Sequence, residues 1–110
     1  MSKFVKEWND KSEQVNFNAK AKGWWDGERN DGEIIALMHS ELSEALEALR
    51  NGNPPDSHIP EFLGTEAEMA DVVIRIMDYG KARGLRIAKA IEAKMSYNIN
   101  RPVKHGGKHF

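Results

Sequence analysis

Between Gly32 and Arg50 the chain runs GEIIALMHSELSEALEALR. At about 100° per residue, Ile34, Ile35, Met38, Leu42, Ala45, Leu46 and Leu49 share one broad face, the pattern of a helix turned toward a core. Asp31 stands where an N-cap is needed. A weaker helical spacing of Phe4, Val5, Trp8, Val15 and Ala19 predicts a first helix over about Ser2 to Lys22, ended by GWWDGERNDG. After Arg50, NGNPPDSHIPEFLG contains three prolines and two glycines, which exclude regular structure across most of it. Being longer than the usual connection, this loop is either a mobile cover or a packed excursion. A third helix is predicted from Thr65, with Thr65 and Glu68 as a reciprocal capping box, Met69, Val72, Val73, Ile76, Met77 and Gly80 facing inward, and Gly84 as its C-terminal cap. Gly80 within that face predicts close approach of another helix. A fourth helix runs over about Leu85 to Asn98 with Ile87, Ala88, Ile91 and Met95 inward. The tail from Pro102 is too polar and glycine-rich to fold alone. No strand pattern, internal repeat or low-complexity segment interrupts this series. The predicted fold is all-α: four helices in an antiparallel bundle, a single domain over 1–110.

Charge adds little to this picture and removes several functions. With 16 basic and 17 acidic residues and a formal net charge of −1, no global field draws nucleic acid or an anionic membrane. The absence of cysteine rules out disulfides and thiolate metal sites. The first residues lack the apolar core of a signal peptide, and no run approaches the roughly 20 apolar residues of a membrane span. A cytoplasmic protein without nucleic-acid or membrane partners is expected.

Candidate chemistry comes from acids placed beside apolar surface. Glu41 and Glu44 lie three residues apart on a stripe shared with Leu37 and Ala48, so burial and mutual repulsion make the pair costly unless a cation or donor offsets it. Glu68 and Asp71 repeat the spacing on the third helix. Two antiparallel helices can bring all four carboxylates to one locus, a ligand set suited to Mg²⁺ shared with substrate phosphates. Solvated acids at i,i+3 are the ordinary alternative for either pair alone, and the capping box is a further alternative for Glu68. His39 and His58 lack a second histidine at ligand spacing, and no serine or cysteine nucleophile motif is present.

Lys94, Asn98 and Arg101 fall on one stripe of the fourth helix, with Lys104 and Lys108 following. Facing the carboxylates, such a stripe can hold phosphate oxygens; unpaired with them, it is a solvated basic face. Of the two adjacent tryptophans, Trp25 is assigned to stacking on a nucleobase and Trp24 to core packing.

Glu41-x-x-Glu44, Glu68-x-x-Asp71 and Lys94-x-x-x-Asn98-x-x-Arg101-Pro102, preceded by Lys22-Gly23-Trp24-Trp25, together resemble the MazG-like all-α nucleoside triphosphate pyrophosphohydrolases. The resemblance spans about Asn18 to Lys108. It implies Mg²⁺ held by Glu41, Glu44, Glu68 and Asp71, with Mn²⁺ as a substitute, and cleavage of a nucleoside triphosphate between its α and β phosphates. Glu41 or Glu44 is then the catalytic carboxylate that orients water or deprotonates it as a general base, and Lys94, Asn98, Arg101 and Lys108 bind phosphate. It also implies a homodimer or homotetramer whose subunits complete one another's pockets. Arg75 departs from the pattern, since some relatives carry an aromatic residue there. Two other readings stay open: a phosphoribosyl-ATP pyrophosphohydrolase, and a helical interaction module without catalysis.

Overall fold

The computed structural model describes residues 1–101. Four helices follow one another: α1 (Lys3–Ala21), α2 (Asp31–Arg50), α3 (Gly64–Arg83) and α4 (Ile87–Ile99). Among the described residues the one sheet-like pairing is an isolated antiparallel bridge between Pro55 and Leu63, so the all-α reading holds. The predicted tail, with Lys104 and Lys108, lies outside the described residues.

Local chemistry fixes the helix ends, and in two places it moves them. The Ser2 hydroxyl accepts the Val5 amide at 3.1 Å and starts α1. On α2 the cap is Asn30, whose side-chain oxygen accepts the Glu33 amide at 3.2 Å. Asp31, expected as the cap, is instead the first helical residue, where its carboxylate suits the helix dipole and pairs with Arg83 at 2.8 Å. On α3 the capping acid is Glu66, which accepts the Leu63 amide at 2.9 Å. The expected Thr65–Glu68 box fails because the preceding loop anchors the cap two residues earlier, at Leu63: the Gly64 amide donates to the Pro54 carbonyl at 2.8 Å and the Thr65 amide to the Asn53 side chain at 2.9 Å. Glu68 therefore has no capping duty. Gly84 ends α3 as predicted, at φ 66°, a left-handed conformation cheap only for glycine.

The loop between α2 and α3 is held by its own hydrogen bonds, with most of its residues exposed. The Asp56 amide donates to the Phe62 carbonyl at 2.8 Å, and the Asp56 carboxylate accepts the amides of His58 and Ile59 at 2.9 and 3.0 Å. Those amide bonds hold the Asp56 carboxyl below its ordinary range.

α3 is flanked by α1 on one side and α2 on the other, and both run antiparallel to it. α4 turns back along the N-terminal part of α1, where Ser2 donates to Glu92 at 2.8 Å. Gly80 permits this turn: a Cβ there would fall 2.9 Å from Ile87 Cγ1, which is the predicted close approach. The core is built from small residues, among them Val5, Ala19, Ile34, Ala45, Ala67 and Ala88. Much of the predicted inward face is not covered. Ile35, Leu42 and Leu46 on α2 and Met69 and Val73 on α3 are exposed, and Leu49 reaches 57%. The cause is the arrangement itself, since α3 covers only the Ile34–Ala45 edge of α2's wide apolar sector. The radius of gyration, 16.4 Å, exceeds the roughly 13 Å of a compact chain of about this length. No helix of the described residues is long and apolar enough to cross a membrane.

Candidate functional site

Because α2 and α3 run antiparallel, the turn of α2 carrying Glu41 and Glu44 lies opposite the second turn of α3, which carries Glu68. Each of these three residues can offer a carboxylate oxygen, and the three oxygens lie within 4.8 Å of one another. Three anionic oxygen donors so close together form a hard-cation ligand set, so the residues present fit a divalent metal. Asp71, one turn further along α3, is exposed and stands outside this group.

The electrostatics show what the cluster lacks. Burial pushes the Glu68 carboxyl up, and hydrogen bonding and repulsion from Glu41 and Glu44 push it further, to about 7. Burial, then the charge of Glu41, raises Asp71 against the opposing effect of Arg75. Burial also works to raise Glu41, but hydrogen bonds shared with Arg75, Glu68 and Glu44 outweigh it and hold that carboxyl below its usual value. A carboxyl that keeps its proton to near neutrality signals negative charge in excess of its compensation.

Arg75 is the site residue that sequence reasoning did not assign. Its Nη2 lies 2.9 Å and its Nε 3.0 Å from the same oxygen, Glu41 Oε1, and both side chains are at least half-buried. Arg75 follows Asp71 by four residues and Glu68 by seven, on one stripe of α3, but its partner Glu41 lies on another helix, so spacing alone does not reveal the pair.

The basic stripe of α4 is not brought to the carboxylates within the chain. Lys94 and Asn98 are exposed on α4, which packs against α1, and Arg101, also exposed, lies two residues past the end of that helix. Lys94 and Arg101 lie over the Tyr97 ring instead, at 5.1 and 5.9 Å from its centroid. Lys108 falls outside the described residues.

The two tryptophans exchange the situations expected of them. Trp25 is half-buried, and its indole N–H donates to both carboxylate oxygens of Asp78 at 2.9 Å. Asp78 is only 5% exposed and also accepts from the Asn16 amide at 2.8 Å. Arg29 and Arg83 lie over the Trp25 ring at 4.7 and 5.4 Å, and Arg83 further binds Asp31 and the Arg29 carbonyl. Trp24, expected in the core, is 48% exposed and lines a cavity of about 210 Å³ with Val15, Asn18, Ala19, Lys22 and Ile74. The first tryptophan of a turn leaving α1 meets solvent, while the second is pulled inward by the one buried carboxylate within reach. Asp78 escaped the sequence reading, although an acid between Met77 and Gly80, two residues of the predicted inward face of α3, marks it.

Compared with known proteins, the chain matches no protein-family model, no curated protein and no solved structure.

Proposed function

We propose that the protein is a Mg²⁺-dependent nucleoside triphosphate pyrophosphohydrolase of the MazG-like kind, converting its substrate to a nucleoside monophosphate and pyrophosphate. The observation that carries this reading is the convergence of Glu41, Glu44 and Glu68 on one locus between two helices, with the proton on Glu68 held to about pH 7. Glu41, Glu44 and Glu68 would hold the cation, and Asp71, one turn further along α3, would join them only by turning toward the cluster. When bound, Mg²⁺ supplies Lewis acidity and neutralises phosphate charge. Glu44, the exposed member of the cluster and not the one bound by Arg75, accepts the proton of the water that attacks the α-phosphorus. Trp24, whose ring is the more accessible of the two, is the better surface for a base than Trp25.

A pyrophosphate-release screen over the canonical and several damaged nucleoside triphosphates, with Mg²⁺, tests the activity. Turnover of at least one substrate, lost on adding EDTA, is expected. A flat response at enzyme concentrations comparable to substrate overturns the reading and favours the interaction module.

The same proposal includes a homodimer or homotetramer. Two observations support it: the uncovered apolar surface around Leu42, Leu46, Leu49 and Val73, and the separation of the α4 stripe from the carboxylates. In an oligomer, Lys94, Asn98 and Arg101 of one copy reach the acids of another and bind the phosphates. Sedimentation at low micromolar concentration is expected to show a dimer or tetramer; a 12.5 kDa monomer removes any pocket shared between copies.

A further inference from the structure

Arg75 places two N–H donors on a single oxygen, Glu41 Oε1, at 2.9 and 3.0 Å, and that oxygen belongs to a residue of the three-carboxylate cluster. A guanidinium normally spreads its donors over both oxygens of a carboxylate, or over two acceptors. Concentrating them on one oxygen leaves Glu41's other oxygen to its acidic neighbours and makes Arg75 the nearest cation to the cluster. A divalent ion held by that carboxylate and this guanidinium compete for the charge of one group and repel each other at such range. The contact is also partly shielded from water, since the Arg75 and Glu41 side chains are 28% and 13% exposed, so competition there is screened less than on an open surface.

We propose that Arg75 is a built-in counter-cation of the metal-free cluster, bound to Glu41 until a divalent ion displaces it, so that metal loading and release of the guanidinium are one exchange. This rests on the metal-binding reading of Glu41, Glu44 and Glu68. Its consequence is a metal affinity set below what the three carboxylates alone provide, together with a freed guanidinium beside the ion. Five N–H donors in a fixed fork then become available to the anionic oxygens that the ion brings with it.

The test compares Mg²⁺ binding, by calorimetry without nucleotide, in the parent, Arg75→Gln and Arg75→Lys proteins. Removing the competitor is expected to tighten Mg²⁺ binding in R75Q by about tenfold, the scale of one charge-assisted contact, with R75K in between. In the parent, the Arg75 Nε–H resonance, identified by its absence in R75K, is expected to shift saturably with added Mg²⁺; this readout does not depend on R75Q folding. Mg²⁺ binding in the parent with R75Q equal or weaker, or with the Arg75 resonance unmoved at saturation, overturns the exchange and leaves the metal site standing. Binding in R75Q but not in the parent overturns the exchange, because the ion then does not displace Arg75 and the guanidinium simply occupies the site. Mg²⁺ binding in none of the three proteins overturns both readings.

Discussion

Replacing Glu68 by glutamine is expected to lower pyrophosphate release by about a hundredfold or more while making the metal-free protein more resistant to heat at pH 8. The two effects have one origin. Glu68 completes the cluster with Glu41 and Glu44, so its loss removes a ligand that nothing else in the three-oxygen group replaces. Without metal, however, its charge is a liability, as a carboxyl held up to about 7 by burial and by its acidic neighbours shows. An acid whose pKa is raised on folding favours the folded state fully below its ordinary value of 4.5, and that contribution disappears as pH rises through about 7. Asp71, also raised, acts in the same direction, while Glu41, held low, contributes its pH dependence below its ordinary value of 4.5 and so outside this range. The melting temperature of the metal-free parent should therefore carry a downward component between pH 5 and pH 8 that E68Q lacks. Mg²⁺ requires the ionised carboxylate, so its stabilising effect on the parent should be larger at pH 8 than at pH 6. Calorimetric scans in EDTA and in Mg²⁺ at both pH values provide the check. E68Q turning over substrate like the parent, or melting lower than the parent in EDTA at pH 8, sinks the carboxylate site.

How much of this was legible in the sequence depends on whether the governing interaction is local. Helix periodicity, the αL cap at Gly84 and the tight packing at Gly80 follow from residues within a few positions of one another, and the structure has them where they were expected. The caps at Asn30 and Leu63–Glu66 moved because a partner distant in sequence intervened: Arg83 takes Asp31, and Asn53 with Pro54 anchors the start of α3. The acid pairs were visible because spacing of three on two helices is itself a geometric statement. Arg75 was visible only as a residue that did not fit, since its partner lies 34 positions away on another helix. The roles of Trp24 and Trp25 could not be told apart by spacing at all; adjacent residues in a turn point in different directions, and Asp78, 53 residues away, decides which one turns inward. The apolar face of α2 was read correctly as apolar, and the structure adds how little of it is covered within the chain, because periodicity reports which side is hydrophobic and not what lies against it.

Asp78→Ala is expected to cost the protein about 2–4 kcal/mol of stability, more than truncation of the larger Trp24 side chain. Asp78 is buried, yet its carboxylate accepts from Asn16 on α1 and from Trp25 in the turn, so both of its oxygens are engaged and its charge is hydrogen-bonded. Alanine would orphan two donors, each costing about 1–3 kcal/mol when left unpaired away from water; relief from burying a carboxylate offsets part of this. Asp78→Asn keeps an acceptor oxygen without the charge and should lose about half as much. Trp25→Phe removes the indole N–H while retaining a ring beneath Arg29 and Arg83, and is expected to destabilise by about 1–2 kcal/mol. Trp24→Ala, at a half-exposed position, should stay within about 1 kcal/mol. Urea unfolding at one fixed protein concentration, needed if the chain self-associates, ranks the four variants, and an Asp78→Ala/Trp25→Phe double mutant should cost less than the sum of its parts. The latch also reaches the site's framework, because Arg83 ties the same turn to Asp31 at the start of α2, the helix that carries Glu41 and Glu44. A stable Asp78→Ala protein, or Trp24→Ala costing more than Trp25→Phe, would show that the turn is held by something other than this buried carboxylate.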